Sequence, residues 1–193
     1  TCLDVAHQPN EYCRIPDIID DINIVPLQTS DSSLMDEIFR IKKVENKFYI
    51  KASKNVFVFD NDGRFERKLA KNGKGPNEIL AVTNFYVNDQ NNTIEIYDGV
   101  NSKNIIYDHK GNVIQSTKHE FRHGYDFIKG SKEGYFFYIG FGVDKTGELI
   151  YVPNLEKKGH VDLLPYDETL ANYLHCGDLV NFAQNKYGTY FTR

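Results

Sequence analysis

Residues Leu69–Leu80 read LAKNGKGPNEIL, and the fold turns on whether this glycine-rich run cradles a phosphate or carries the chain between strands. A phosphate loop of the form G-x-x-x-x-G-K-[ST] joins a parallel strand to a helix. Here neither Ser nor Thr follows the lysine, and no helical periodicity comes after the loop. Pro76 removes one backbone donor and holds Gly75 extended. The run therefore reads as a connection between two strand-rich units. Gly73 and Gly75 allow a tight backbone path, Pro76 stiffens the crossing, and Glu78 belongs to the same turn.

On either side of this connection the sequence repeats. Gly63, Gly111 and Gly159 are spaced 48 residues apart. Each lies in a polar turn between an apolar run and a second alternating run: VFVFDNDGRFERKL, NIIYDHKGNVIQST and IYVPNLEKKGHVDLL. Asp62-Gly63 is a strong hairpin signal, because glycine accepts the positive φ that such turns demand. Lys110-Gly111 and Lys158-Gly159 are weaker versions of it. A further hairpin pattern precedes each, at Ile38–Ser53, Thr83–Gly99 and Tyr125–Gly142, and a fourth copy starts at Leu179 and runs to Arg193. An aromatic recurs at the start of every copy, at Phe39, Phe85, Phe127 and Phe182.

Four short strands every 40 to 50 residues are the mark of a β-propeller blade. The expectation is an all-β, antiparallel, partial propeller of about 3.5 four-stranded blades. Residues 1–20 form an N-terminal tether and residues 21–193 the incomplete propeller, with blades near 38–80, 83–120, 125–165 and 179–193. The segment Asp21–Asp31, DINIVPLQTSD, reads as a leading strand of the kind that pairs with a last blade to close a ring. The one helical candidate is the short run Tyr166–Leu174 after Pro165. A ring needs about four to eight blades, so closure calls either for a longer chain or for self-association through open blade edges.

Bulk properties fit this reading. The chain has 193 residues, 40% of them hydrophobic and 26% charged, in keeping with a globular domain. Thirteen Tyr and thirteen Phe, with no Trp, favour half-buried pleated surfaces. A net charge of −4 argues against nucleic-acid partners, which need a basic face. No apolar run approaches the length of about 20 residues that a membrane-spanning helix needs. Cys2, Cys13 and Cys176 match neither a zinc knuckle nor a CxxC pair. Cys2 stands before a polar stretch, the position of a lipidated cysteine ahead of a tether; an ordinary thiol near a frayed end is the alternative.

Three pieces then carry a family resemblance: Val25-Pro26-Leu27-Gln28-Thr29, Phe59-Asp60-Asn61-Asp62-Gly63 and Gly73-Lys74-Gly75-Pro76-Asn77-Glu78. In their order and spacing they resemble the six-bladed, NHL-like β-propeller lipoproteins of Bacteroidota. In that family an I-P-L-E-T-like strand leads in, an F-D-x-x-G turn ends the first blade and a G-x-G-P-x-E loop follows. The departures are Gln28 in place of an acid, Asn77 in place of a common glycine, and a chain about half the family's usual length. The resemblance covers the chain from about residue 20 onward. It implies a binding module of the cell envelope, in the periplasm or at the outer-membrane surface, with a lipid anchor near Cys2. Thr1 is not the usual small residue before such a cysteine.

One motif points elsewhere. Residues 119–123 read HEFRH, which satisfies H-E-x-x-H. On a helix the two histidines would bind Zn²⁺ and the glutamate would serve as general base, here His119, His123 and Glu120, with Glu168 a possible third ligand. The context is strand-like before the motif, and Gly124 follows it directly. On a strand the two histidines stand about 13 Å apart, too far to share a metal.

Weaker signals resolve as structure. Asp60–Gly63 lacks the alternating acids and distal Glu of a calcium loop. His175 and Cys176, as neighbours, would point to opposite faces of a strand and make a poor nucleophile–base pair. The aromatic run Gly134–Gly142 suits either a buried central strand or sugar stacking. Two readings follow. The first is a non-catalytic envelope binding or scaffolding module without a cofactor, whose ligand is a glycan, a peptide or a protein. The second is a zinc-dependent hydrolase built on His119, Glu120 and His123.

Overall fold

A computed structural model describes residues 21–52, 54–119, 126–130, 134–139, 149–164, 182–185 and 188–191. Among them every regular element is a strand. The first sheet is an up-and-down meander of β1 (Ile38–Val44), β2 (Lys47–Ala52), β3 (Asn55–Asp60) and β4 (Phe65–Leu69). A two-residue parallel bridge follows between β5 (Lys71–Asn72) and β6 (Glu78–Ile79). The second sheet holds β7 (Asn84–Asn88), β8 (Thr93–Asp98), β9 (Lys103–Asp108) and β10 (Val113–Lys118). The third holds β11 (Asp126–Lys129), β12 (Tyr135–Tyr138), β13 (Leu149–Val152) and β14 (Val161–Leu164). A hairpin of β15 (Phe182–Asn185) and β16 (Gly188–Phe191) comes last. The predicted all-β class, four-strand repeat and antiparallel pairing are all present.

Period-2 patterning explains how the sheets stack. In β3, Val56 and Val58 point to one face and Phe57 and Phe59 to the other, and all four are buried. Val56 and Val58 join Tyr49 and Leu69 against Phe85, Ile94, Ile96 and Ile105 of the second sheet. The opposite face of the second sheet sends Tyr97 and Tyr86 into a core with Phe127, Phe137 and Ile150 of the third. Phe127 and Phe137 are directly paired across β11 and β12 and stack with centroids 5.7 Å apart. Two of the three recurring aromatics on described side chains thus fill gaps between sheets. Phe39 does not: a bulge in β1 between Ile38 and Arg40 displaces it, leaving it 36% exposed with the Lys51 ammonium over its ring.

The turn between the third and fourth strands is the same in the first two sheets. Asp60 Oδ1 accepts from the amides of Asp62 and Arg64, and Asp108 Oδ1 from those of Lys110 and Asn112, at 2.8–2.9 Å. Gly63 and Gly111 close the turns at φ +79° and +90°. The acid that suggested calcium is therefore used up in capping its own turn. In the third sheet Pro153–His160 connects β13 to β14, and Asn154 caps it instead by accepting from the Glu156 amide. Gly159 lies near the end of that longer connection, so the third glycine signal belongs to a different turn.

The leading segment departs from expectation. Asp21–Asp31 contains no strand. It is pinned to the first sheet, with the Gln28 amide donating to Gly63 O (2.8 Å) and Gln28 Oε1 accepting from the Phe65 amide (3.0 Å). Leu27 packs on the Ile50, Phe57 and Phe59 face. Pro26 has no amide to offer a ladder, and the turn at Gly63 is the surface it meets.

Candidate functional site

The first strands of the three sheets, β1, β7 and β11, are each the edge strand of their sheet. Side chains from all three meet in one polar node. The Arg40 guanidinium donates to Asn84 Oδ1 at 2.5 Å and to Asp126 Oδ1 at 3.1 Å, and Asn84 Nδ2 also donates to Asp126 Oδ1. Asp126 is fully buried and Asn84 nearly so, while Arg40 keeps partial solvent access. A buried carboxylate needs such a partner, because an unpaired charge in this place would be costly. Asn84 and Asp126 also accept from the amide of the next residue, Phe85 (2.7 Å) and Phe127 (2.8 Å).

Two residues further along each strand a second set lines up: Lys42, Tyr86 and Ile128. The Lys42 ammonium lies over the Tyr86 ring, 4.8 Å from its centroid. Burial, and then the nearby Arg40 charge, hold the Lys42 pKa below the ordinary lysine value. Ile128 and Tyr86 pack together. The two rungs, Arg40–Asn84–Asp126 and Lys42–Tyr86–Ile128, run along the convergence of the sheets.

Behind Tyr86 lies a buried carboxylate. Glu95 pairs with Tyr86 in the ladder, is 1% exposed, and meets Lys129 Nζ at 3.3 Å and Asn104 Nδ2 at 3.5 Å. Burial first, and then the Glu95 charge, push the Tyr135 phenol above its usual value. The face of the second sheet toward the third thus carries the buried polar groups Glu95 and Asn104 beside its aromatic core, and the face toward the first is apolar.

The glycine-rich connection proves to be held from within. Glu78 turns back on it, taking the Gly75 amide on Oε2 (2.9 Å) and pairing with Lys71 through Oε1 (3.0 Å). Those contacts, the Gly75 amide first, hold its carboxyl below the ordinary range. A Cβ on Gly73 would overlap that carboxylate, which accounts for the glycine. Lys103, buried beneath, donates to the carbonyls of Gly75 (2.8 Å) and Glu78 (2.7 Å), and Ser116 Oγ donates to Pro76 O (2.7 Å). With its carboxylate and carbonyls committed internally, the loop acts as a clasp between the first two sheets.

His119 follows β10 in an extended segment, where its amide donates to Ser102 O (2.9 Å). Its ring stacks on Tyr97 (centroids 5.3 Å) and leans on Phe137 (5.9 Å). Glu120, His123 and Glu168 lie outside the described residues, as do Cys2, Cys13, His175, Cys176 and the helical candidate Tyr166–Leu174. Among the described residues no group of three or more His, Cys, Asp or Glu could hold a metal ion.

Sequence reasoning missed all six rung residues. A signal was present in three copies of the sequence: the polar residue directly before the recurring aromatic, in Asn84-Phe85, Asp126-Phe127 and Asn181-Phe182. In the first copy the β1 bulge shifts the polar partner to the far side of Phe39, at Arg40, and hides the pattern.

Comparison with known proteins gives the following. A crystal structure from Bacteroides fragilis NCTC 9343, described as a "Putative exported protein", shares the fold at a TM-score of 0.64 and 20% identity, over 71% of this chain and 40% of its own. A DUF4221-family protein from Bacteroides vulgatus aligns at a TM-score of 0.45 and 15% identity, over 74% of this chain and 46% of its own. The chain spans less than half the length of either. No curated protein matches it. The family model described as "Domain of unknown function (DUF4934)" matches residues 2–193, essentially end to end, and the chain belongs to that family.

Proposed function

We propose that this chain is a ligand-binding, non-catalytic part of an exported β-propeller of the bacterial envelope. The observation that carries the reading is the node of Arg40, Asn84 and Asp126. It ties three successive four-stranded sheets together at their first strands, as blades are joined around an axis. Propellers take ligands at the ends of that axis, so the inner strands are the binding face for a glycan, a peptide or a protein partner. The exposed apolar residues of β1, Ile38 and Ile41, fit a ring with further blades beyond the first sheet. Export is supported by the description of the Bacteroides fragilis neighbour, and the position of Cys2 ahead of a polar stretch supports a lipid anchor.

The aromatic packing of His119 supports a core role for that residue in place of zinc ligation. The test is an array of envelope glycans and peptides probed with the 193-residue chain, beside elemental analysis for zinc. Saturable binding without stoichiometric zinc is the expected result. Zinc at one equivalent, lost in His119→Ala, together with hydrolysis of an arrayed peptide, would replace this reading with the hydrolase.

A further inference from the structure

The two rungs differ in charge balance. In the first, the Arg40 cation is met by the Asp126 carboxylate across Asn84. In the second, β11 supplies Ile128 where the first rung has its acid, and Lys42 has no carboxylate within ion-pair distance among the described residues. Its one close polar contact there is the face of the Tyr86 ring. Arg40 stands two residues away on the same strand and adds repulsion; Asp89 attracts only at longer range. Glu95, the nearest buried acid behind Tyr86, is taken by Lys129. A half-buried ammonium in such a place is under-solvated and uncompensated, while Lys42 and Tyr86 both remain partly open to solvent.

We propose that the second rung is an anion subsite that takes the carboxylate of a ligand, the ligand supplying the charge that Asp126 supplies in the first rung. One compact cation beside one neutral phenol matches a monoanion. A phosphate dianion would call for a guanidinium fork or several donors, and Arg40, the guanidinium beside this rung among the described residues, is engaged by Asn84 and Asp126. The inference rests on the reading of the inner strands as a binding face and gives that face its ligand chemistry. Such a carboxylate could come from a hexuronic acid or from the C-terminus of a peptide.

The experiment follows the lysine side-chain amines of the ¹⁵N-lysine-labelled 193-residue chain by NMR, with the Lys42 signal assigned from Lys42→Gln. Glucuronate, N-acetylalanine, N-acetylalanine amide and glucose are titrated in turn, to about 100 mM, well above the millimolar range of weak binding. The expected result is a saturable shift of the Lys42 signal with one or both carboxylates and with neither neutral probe. Preference between glucuronate and N-acetylalanine identifies the source. Lys42→Gln, read on the array, should weaken binding about tenfold, as the loss of a charge-assisted contact does, and Lys110→Gln, at an exposed lysine of an outer turn, should leave it in place. Absence of any saturable Lys42 shift, or equal shifts with the neutral probes, overturns the subsite. Array binding that persists unchanged in Lys42→Gln would likewise overturn it while leaving the binding module standing.

Discussion

Gly63→Ala and Gly111→Ala form a matched pair that tests how the leading segment is held. Both glycines close the same Asp-capped turn and both have left-handed φ, at +79° and +90°. Alanine in that region costs about 1–2 kcal/mol at either site. Their surroundings differ. A Cβ on Gly111 would meet side-chain atoms alone, Leu69 Cδ2 at 3.2 Å and Arg67 Cδ at 3.6 Å, and no backbone. A Cβ on Gly63 would overlap the Pro26 carbonyl oxygen and come within 3.0 Å of its carbon, and this backbone cannot yield without lifting the segment. Lifting it breaks the 2.8 Å bond from the Gln28 amide to Gly63 O and uncovers the face that Leu27 packs against. That adds about 2 kcal/mol, roughly one from the hydrogen bond and one from apolar area. Gly63→Ala should therefore fall about 2 kcal/mol below Gly111→Ala in urea denaturation followed by tyrosine emission. For a domain of this size that corresponds to about 4–8 °C in Tm. Protease sensitivity around residues 21–35 should rise in Gly63→Ala alone. Equal destabilisation of the two variants, with the segment still protected in both, would refute the docking.

Three further outcomes follow from the first strands of the sheets and their surroundings. Asp126→Ala leaves Arg40 and Asn84 facing each other without their shared acceptor and should cost about 3 kcal/mol, toward the low end for a broken buried pair because Arg40 keeps some solvent; Arg40→Met combined with it should recover part of the loss in a denaturation cycle. The raised Tyr135 phenol favours its protonated form in the folded chain, so its contribution is complete below about pH 10, the unfolded value, and is lost as pH climbs above that. Denaturation midpoints of Tyr135→Phe across the alkaline range should decline less steeply than those of the parent; an unchanged slope refutes this. His119→Ala should lower stability by about 1–2 kcal/mol in chelator-treated buffer, through lost contact with Tyr97 and Phe137; no loss without metal would argue against a packing role.

The elements legible in the sequence are those whose physics is local. Val56 to Phe59 alternate between two faces, and Asp60 caps a turn that Gly63 closes two residues before β4 regains the ladder. All of this is written within about ten residues, and the same grammar recurs at Asp108 and Gly111. What failed was reading long-range partners from local pattern. The apolar residues of Asp21–Asp31 look like a strand, but Pro26 withholds a donor, and the segment's partner is a turn more than thirty residues away. The short bridge from Lys71–Asn72 to Glu78–Ile79 was hidden for the opposite reason. The glycines whose pattern predicts a tight crossing also let Glu78 fold back and lock it.

The node of Arg40, Asn84 and Asp126 shows why a repeat can conceal residues that act together. Asn84 and Asp126 are each a polar residue before a buried aromatic, and taken singly each reads as the end of a turn. Their role appears only when three strands from three sheets are set side by side, and there the copies are unequal by necessity. A cation, an amide and an acid can satisfy one another; three cations or three acids could not, since like charges would repel and an acid trio would lack donors. Charged residues at the convergence of the sheets thus have to differ between repeats, while the Asp-capped outer turns of the first two sheets are alike. The second rung extends the reasoning. Lys42, Tyr86 and Ile128 diverge just as far without balancing their charge, and an imbalance held at the meeting point of three sheets is where a ligand's own charge would count most.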